Sequence, residues 1–185
     1  HNLKPMRRDE WNFMRTRPQN FPTIRLAQWC AFLIQNKGIP NVLLYKQRPE
    51  EAIQTFAVEA SDYWKENFDF NKPWPGKRSG RLGENSRFTL TINGVILMLF
   101  SLGIYFNDKR YEVATLQGLK ALPAEKNNIT KGWTRLGFEL KNAMDSQGSI
   151  ELKNEYCKKK KCVLCAIGSH ILHDNYDNRA SSTRN

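Results

Sequence analysis

Nineteen consecutive residues, Phe88 to Phe106 (FTLTINGVILMLFSLGIYF), carry no charge. A run this apolar has to be taken out of water by a protein core, a partner or a bilayer, and its length just suffices to cross one. Thr89, Thr91, Asn93, Gly94, Ser101 and Gly103 dilute it, and Arg87 and the stretch Asp108 to Arg110 flank it closely. It therefore reads as a buried helix of a soluble domain with no membrane partner. The alternating segment FTLTI is the one strand candidate, and it reads as part of the same helix.

Other helices surround that run. NFPTIRLAQWCAFLIQN places Asn20 to cap and Pro22 in a first turn, with Ile24, Ala27, Ala31 and Ile34 at helical spacing and Gly38 and Pro40 as the stop. RPEEAIQTFAVEASDYWKENF opens with Pro49, Glu50 and Glu51, where acids favour the positive helix end, and reads as one helix toward Phe68 with a break near Ser61. YEVATLQGLKAL gives a short helix before Pro123. GWTRLGFELKNAMDS and SIELKNEYC give one or two more, punctuated by Gly148. The expected fold is all-α or mainly α, an irregular multi-helix bundle in one domain over residues 1–175, with a frayed polar tail over 176–185.

The segment Asn71 to Arg87 (NKPWPGKRSGRLGENSR) is too rich in Pro and Gly to hold either period, and reads as one long basic loop. Lys72, Lys77, Arg78 and Arg81 surround Trp74 there, a combination that contacts phosphates and stacks on a base, or else folds its ring onto the core. The chain holds 29 Lys plus Arg against 18 Asp plus Glu, a net charge of +11, which favours polyanionic partners and makes nucleic acid the first to consider. Arg15, Arg17 and Arg25 bracket the start of the first helix, where an anion is also favoured, although pairing with Asp9, Glu10 or Glu125 explains them as well. Glu125 with Asn127, and Asp145 to Gln147, read as caps and turns.

Near the C-terminus, Cys157, Cys162 and Cys165 fall in a C-x4-C-x2-C pattern around the lysine run Lys158, Lys159, Lys160 and Lys161. Thiolates at this spacing can share one metal ion, and the same spacing with a distant fourth cysteine holds an iron–sulfur cluster. A helix break at Gly168 and Ser169 would bring His170 in as the fourth ligand of a structural zinc. Cys30, between Trp29 and Phe32, reads as core. Clustered rather than evenly spread cysteines, with no signal peptide in HNLKPMRRDEWNFMR, point to the reducing cytosol. The histidines, His1, His170 and His173, all lie near the termini and give no support to a nucleophilic triad, so no catalytic residue is assigned.

The segments RTRPQNFPTIRLAQW, YWKENFDF, TINGVILMLFSLG, LPAEKNNITKGWTRLGF and SQGSIELKNEYCKKKKCVLCAIG follow one another in an order that resembles domain-of-unknown-function family 2851 of bacterial proteins, from about Trp11 to Leu172. The resemblance implies that the chain is the C-terminal part of a longer protein whose acidic and histidine motifs lie upstream. It brings no activity with it. The expectation is a non-catalytic helical domain stapled by zinc or an iron–sulfur cluster, helping a longer protein hold nucleic acid. The alternative is a metal-free docking domain, with Trp64, Trp74 and neighbouring aromatic residues covering the upstream half.

Overall fold

The computed structural model describes residues 4–11, 13, 21–38, 48–76 and 78–173. These are mainly helical in an irregular arrangement, as the sequence predicts, with a single two-stranded ladder among them. The chain divides into two compact units, His1–Thr115 and Leu116–Asn185.

In the first unit α1 spans Pro22–Gln35, with Pro22 in its first turn, where a missing N–H costs nothing. Lys37 (φ 53°) and Gly38 (φ 112°) then turn left-handed, and the Gly38 N–H reaches the Leu33 carbonyl at 2.8 Å while Lys37 N–H reaches Ile34 at 3.3 Å. This paired closure satisfies the last carbonyls and stops the helix. The expected cap Asn20 and stop Pro40 lie outside the described residues, as does the tail beyond His173.

The single helix expected from Pro49 onward is broken more widely than at Ser61. A 3-10 turn at Pro49–Glu51 leads into α2 (Ala52–Thr55), and α3 (Tyr63–Glu66) follows only after an extended stretch. Phe56, which ends α2, and Val58 and Ala60 beyond it are buried, so alternate residues turn inward where the helix stops. The backbone of this stretch pairs with the segment expected to be a free loop: Ala60 N–H donates to Gly80 C=O and Leu82 N–H to Val58 C=O, both at 3.0 Å. A Cβ on Gly80 would stand 2.9 Å from the Ala60 carbonyl oxygen, so glycine permits the approach. Further back, β1 (Asn67–Asp69) pairs antiparallel with β2 (Lys72–Pro73), and Trp74 and Arg78 N–H groups donate to the Glu66 and Lys65 carbonyls. The basic segment is thus a backbone-pinned strap.

The strap delivers the chain into α4 (Glu84–Phe106), which includes FTLTI as expected. Its turn over Thr91–Ile96 is wide, and the Leu97 N–H reaches the Ile92 carbonyl five residues back. One face joins the core: Val95 and Leu99 pack with Phe32, Ala52, Phe56, Val58 and Leu82, and Phe32 stacks on Phe56 at 5.4 Å. Asn107 (φ 50°) closes the helix, with Asp108 N–H on the Gly103 carbonyl at 3.0 Å. The helix is not fully buried, however. Of its most apolar 18 residues 33% are buried, and Leu97, Phe100 and Ile104 are 58%, 45% and 63% exposed. The core beneath is one helix face wide, so the opposite face stays open.

Helix α5 (Lys109–Ala121) leads into the second unit, which holds α6 (Asn128–Arg135) and α7 (Ala143–Glu151). Asn127 caps α6 by accepting from Ile129 and Thr130 N–H while the Thr130 hydroxyl accepts from Asn127 N–H, and Asn142 caps α7. Gly148 lies inside α7, and the break falls instead over residues 136–142, where Gly137 has φ 89°. The fully buried Ser146 hydroxyl accepts from Glu125 N–H at 2.9 Å and donates to Ala143 C=O at 3.0 Å.

Two leucines on α4 separate the faces experimentally. Leu99→Ala is expected to cost about 2–5 kcal/mol in chemical denaturation. Leu97→Ala, on the open face, is expected to stay within about 0.5 kcal/mol of the parent.

Candidate functional site

The C-terminal cysteines correct the metal expectation. Among the described residues no group of three or more His, Cys, Asp or Glu side chains is placed to hold a metal ion. Cys157, Cys162 and Cys165 are free thiols, the first two exposed and the third buried. The helix break expected at Gly168 and Ser169 does not form: Cys162–Leu164 is a 3-10 turn, Cys165 is extended (φ −96°, ψ 128°), and residues 166–173 form a helix that runs through Gly168 and Ser169 and carries His170 at an exposed position. The three thiols border a hollow of roughly 140 Å³ with Trp133, Leu152, Tyr156 and Ile167, an apolar packing site. Zinc or an iron–sulfur cluster on Cys157, Cys162, Cys165 and His170 is therefore withdrawn, and with it the metal-stapled nucleic-acid domain. What fastens this segment is contact: a Cβ on Gly168 would lie 2.4 Å from the Cys162 carbonyl oxygen.

Several expected anion-binding residues do meet in the first unit. A hollow of roughly 510 Å³ is lined by Arg25, Trp74, Arg78 and Arg81, together with Ile24, Gln28, Trp64, Ser79 and the start of α4 from Gly83 to Ser86. Arg25 crosses 61 residues of sequence to donate to the Ser86 hydroxyl at 3.1 Å, and also donates to Gln28 Oε1 at 2.8 Å. Burial pushes its pKa down from the ordinary arginine value. The Gln28 side chain is itself buried and donates to the Gly80 carbonyl at 3.1 Å, tying Arg25 to the strap. Arg78 lies 5.4 Å over the Trp74 ring, a cation–π distance. Arg81 Nε donates to Glu59 at 2.9 Å. Hydrogen bonds from Lys65 and then Arg81 hold the Glu59 carboxyl below its usual range.

The remaining expected residues are placed otherwise. Lys72 pairs with the buried Asp69 at 3.4 Å. Trp74 does not stand free as a stacking platform: its ring packs on Phe21 and Phe68 at 5.5 and 5.4 Å, and Trp64 is only part-exposed. Lys158, Lys159, Lys160 and Lys161 belong to the second unit, where Lys159 pairs with Glu155. Arg15, Arg17 and Lys77 lie outside the described residues. Gln28 and Ser86, which orient Arg25, were missed because a neutral polar residue within a helix leaves no periodic or charge signal.

Two apolar surfaces stand beside this hollow in the same unit. One is the open face of α4, where Leu97, Phe100 and Ile104 recur at i, i+3 and i+7. The other is a groove of roughly 630 Å³ along α1, bordered by Met6, Leu26, Cys30, Ile34, Trp64 and Phe70. Cys30 is exposed in that groove and is not the core residue expected. Ile34 and Phe70 are 80% and 68% exposed.

Residues 1–128 match a family model described as a protein of unknown function, DUF2851. The chain belongs to this family. The match takes in the whole first unit, with the hollow, the groove and the open face of α4, and ends before the cysteine segment. No curated protein and no solved structure matches the chain significantly.

The cysteine correction can be checked with three variants and a chelator. Gly168→Ala is expected to lower stability by about 1–3 kcal/mol, since the backbone has to give way. Cys165→Ser, which buries a hydroxyl, is expected to cost about 1–3 kcal/mol, and the exposed Cys162→Ser less than about 0.5 kcal/mol. Incubation with EDTA is expected to leave thermal unfolding unchanged; a fall in melting temperature on chelation would restore a metal to this segment.

Proposed function

We propose that this chain is the C-terminal part of longer family members and serves them as a docking domain, packing its apolar surfaces against the polypeptide upstream in the same protein, in the reducing cytosol. The observation that carries this reading is the second apolar face of α4. Leu97, Phe100 and Ile104 form a stripe with the spacing of a helix–helix seam, on the side opposite the core residues Val95, Leu99 and Gly103. An uncharged stripe exposed in water has a large incentive to be covered: burying one such side chain is worth about 1.5–3 kcal/mol. The groove along α1 adds a second contact surface with aromatic and aliphatic walls.

The docked partner is expected to be an apolar helix, because a stripe at i, i+3 and i+7 accepts side chains from a facing helix. Such an interface is held by apolar contact and is insensitive to salt, in contrast to polyanion binding, which weakens steeply as salt rises.

The test mixes this chain with the separately expressed upstream segment of a longer family member. A one-to-one complex that persists in high salt, and weakens about tenfold or more in Leu97→Glu with Ile104→Glu, is the expected result. Absence of a complex, or equal affinity for the double variant, overturns the docking reading. Flotation with phospholipid vesicles that is abolished by the same double variant would also overturn it, in favour of a membrane surface.

A further inference from the structure

The basic hollow shares only Trp64 with the groove along α1 and asks for a different ligand. Among the described residues three arginines line it against one carboxylate, Glu84. Arg81 already has a carboxylate, Glu59. Arg78 has none among the described residues: its guanidinium lies over the Trp74 ring and its backbone N–H donates to the Lys65 carbonyl. Hydrogen bonds to Gln28 and Ser86 are among the contacts that fix the direction of Arg25, so its guanidinium is positioned before any ligand arrives. Burial disfavours its charged form, and an anion beside it would offset that penalty.

The floor of the hollow adds backbone donors. The first hydrogen bond inside α4 runs from Arg87 N–H to the Gly83 carbonyl at 3.0 Å, so the N–H groups of Glu84, Asn85 and Ser86 precede the helical ladder. Gly83 at the cap position has no side chain to occupy them. These donors sit at the positive end of a 23-residue helix. The other walls, Ile24 and Trp64, are apolar. A hollow of roughly 510 Å³ exceeds what an inorganic anion fills and falls in the range of small-molecule sites.

We propose that the hollow between α1, the strap and the start of α4 binds the phosphate monoester of a small organic molecule, with Arg25, Arg78 and the α4 N-terminus on the phosphate and Trp64 and Ile24 against the organic body. The proposal does not depend on the docking reading: Leu97, Phe100 and Ile104, which carry that reading, take no part, and Trp64 is the one residue named in both.

Isothermal titration of the whole chain at low ionic strength tests it, using inorganic phosphate, phenyl phosphate and phenol as probes. Saturable binding of phenyl phosphate about tenfold tighter than phosphate, with phenol silent, is expected. Arg25→Gln and Arg78→Ala are each expected to weaken it about tenfold or more, while Arg110→Ala, whose arginine pairs with Asp108 on the surface, leaves it unchanged. Because Arg78 is exposed, its variant is expected to keep the parent melting temperature, so lost binding there reports the site and not the fold. No saturable binding of phenyl phosphate, or equal binding by Arg78→Ala and parent, overturns the proposal. A 5′-phosphorylated oligonucleotide serves as the last probe. Affinity no greater than that of phenyl phosphate supports a small-molecule ligand; much tighter binding that is lost in Arg78→Ala overturns it in favour of nucleic acid.

Discussion

The first unit depends on how one long apolar helix is held by a narrow core. Val95 and Leu99 of α4 meet Phe32, Phe56 and Val58, and few other large side chains are available to enclose the helix. A core this size covers one face and leaves the other to water. The packing that stabilises the unit therefore also creates its most conspicuous surface.

The start of α4 is set with equal economy by the strap. Backbone pairing of Ala60 with Gly80 and of Val58 with Leu82 aims the chain at Glu84, and Gln28 on α1 grips the same Gly80 carbonyl. The stretch after α2, the strap and α1 share hydrogen bonds through one glycine, whose lack of a Cβ allows the close approach. The second unit is held by other means, where the caps Asn127 and Asn142 and the buried Ser146 hydroxyl fasten short helices that have little apolar surface to share.

Where the sequence was legible, a local rule decided the outcome. Pro22 and Gly38 bounded α1, and the uncharged run gave α4. The stretch after α2 was misread as helix because Phe56, Val58 and Ala60 sit inside a helix-like pattern, and their alternation becomes meaningful only once Gly80 and Leu82 lie alongside. The cysteine spacing misled for a related reason. It fixes how close three thiols can come, but their direction is decided by the 3-10 turn at Cys162–Leu164 and by the contact of Gly168 with Cys162. Arg25, Trp74, Arg78 and Arg81 were singled out from charge and composition, but the direction of Arg25 into the shared hollow rests on Gln28 and Ser86, which have no signature of their own.

The wide turn at Thr91–Ile96 has a geometric consequence for the whole of α4. Taking one extra residue into a single turn shifts the angular phase of everything after it by about 100° relative to an uninterrupted helix. A helical wheel drawn through the full run therefore misplaces Leu97 onward against the residues before Thr91. The turn acts as a phase adjuster, letting the first turns face the basic hollow while the later ones give Leu99 to the core and Leu97, Phe100 and Ile104 to the outside.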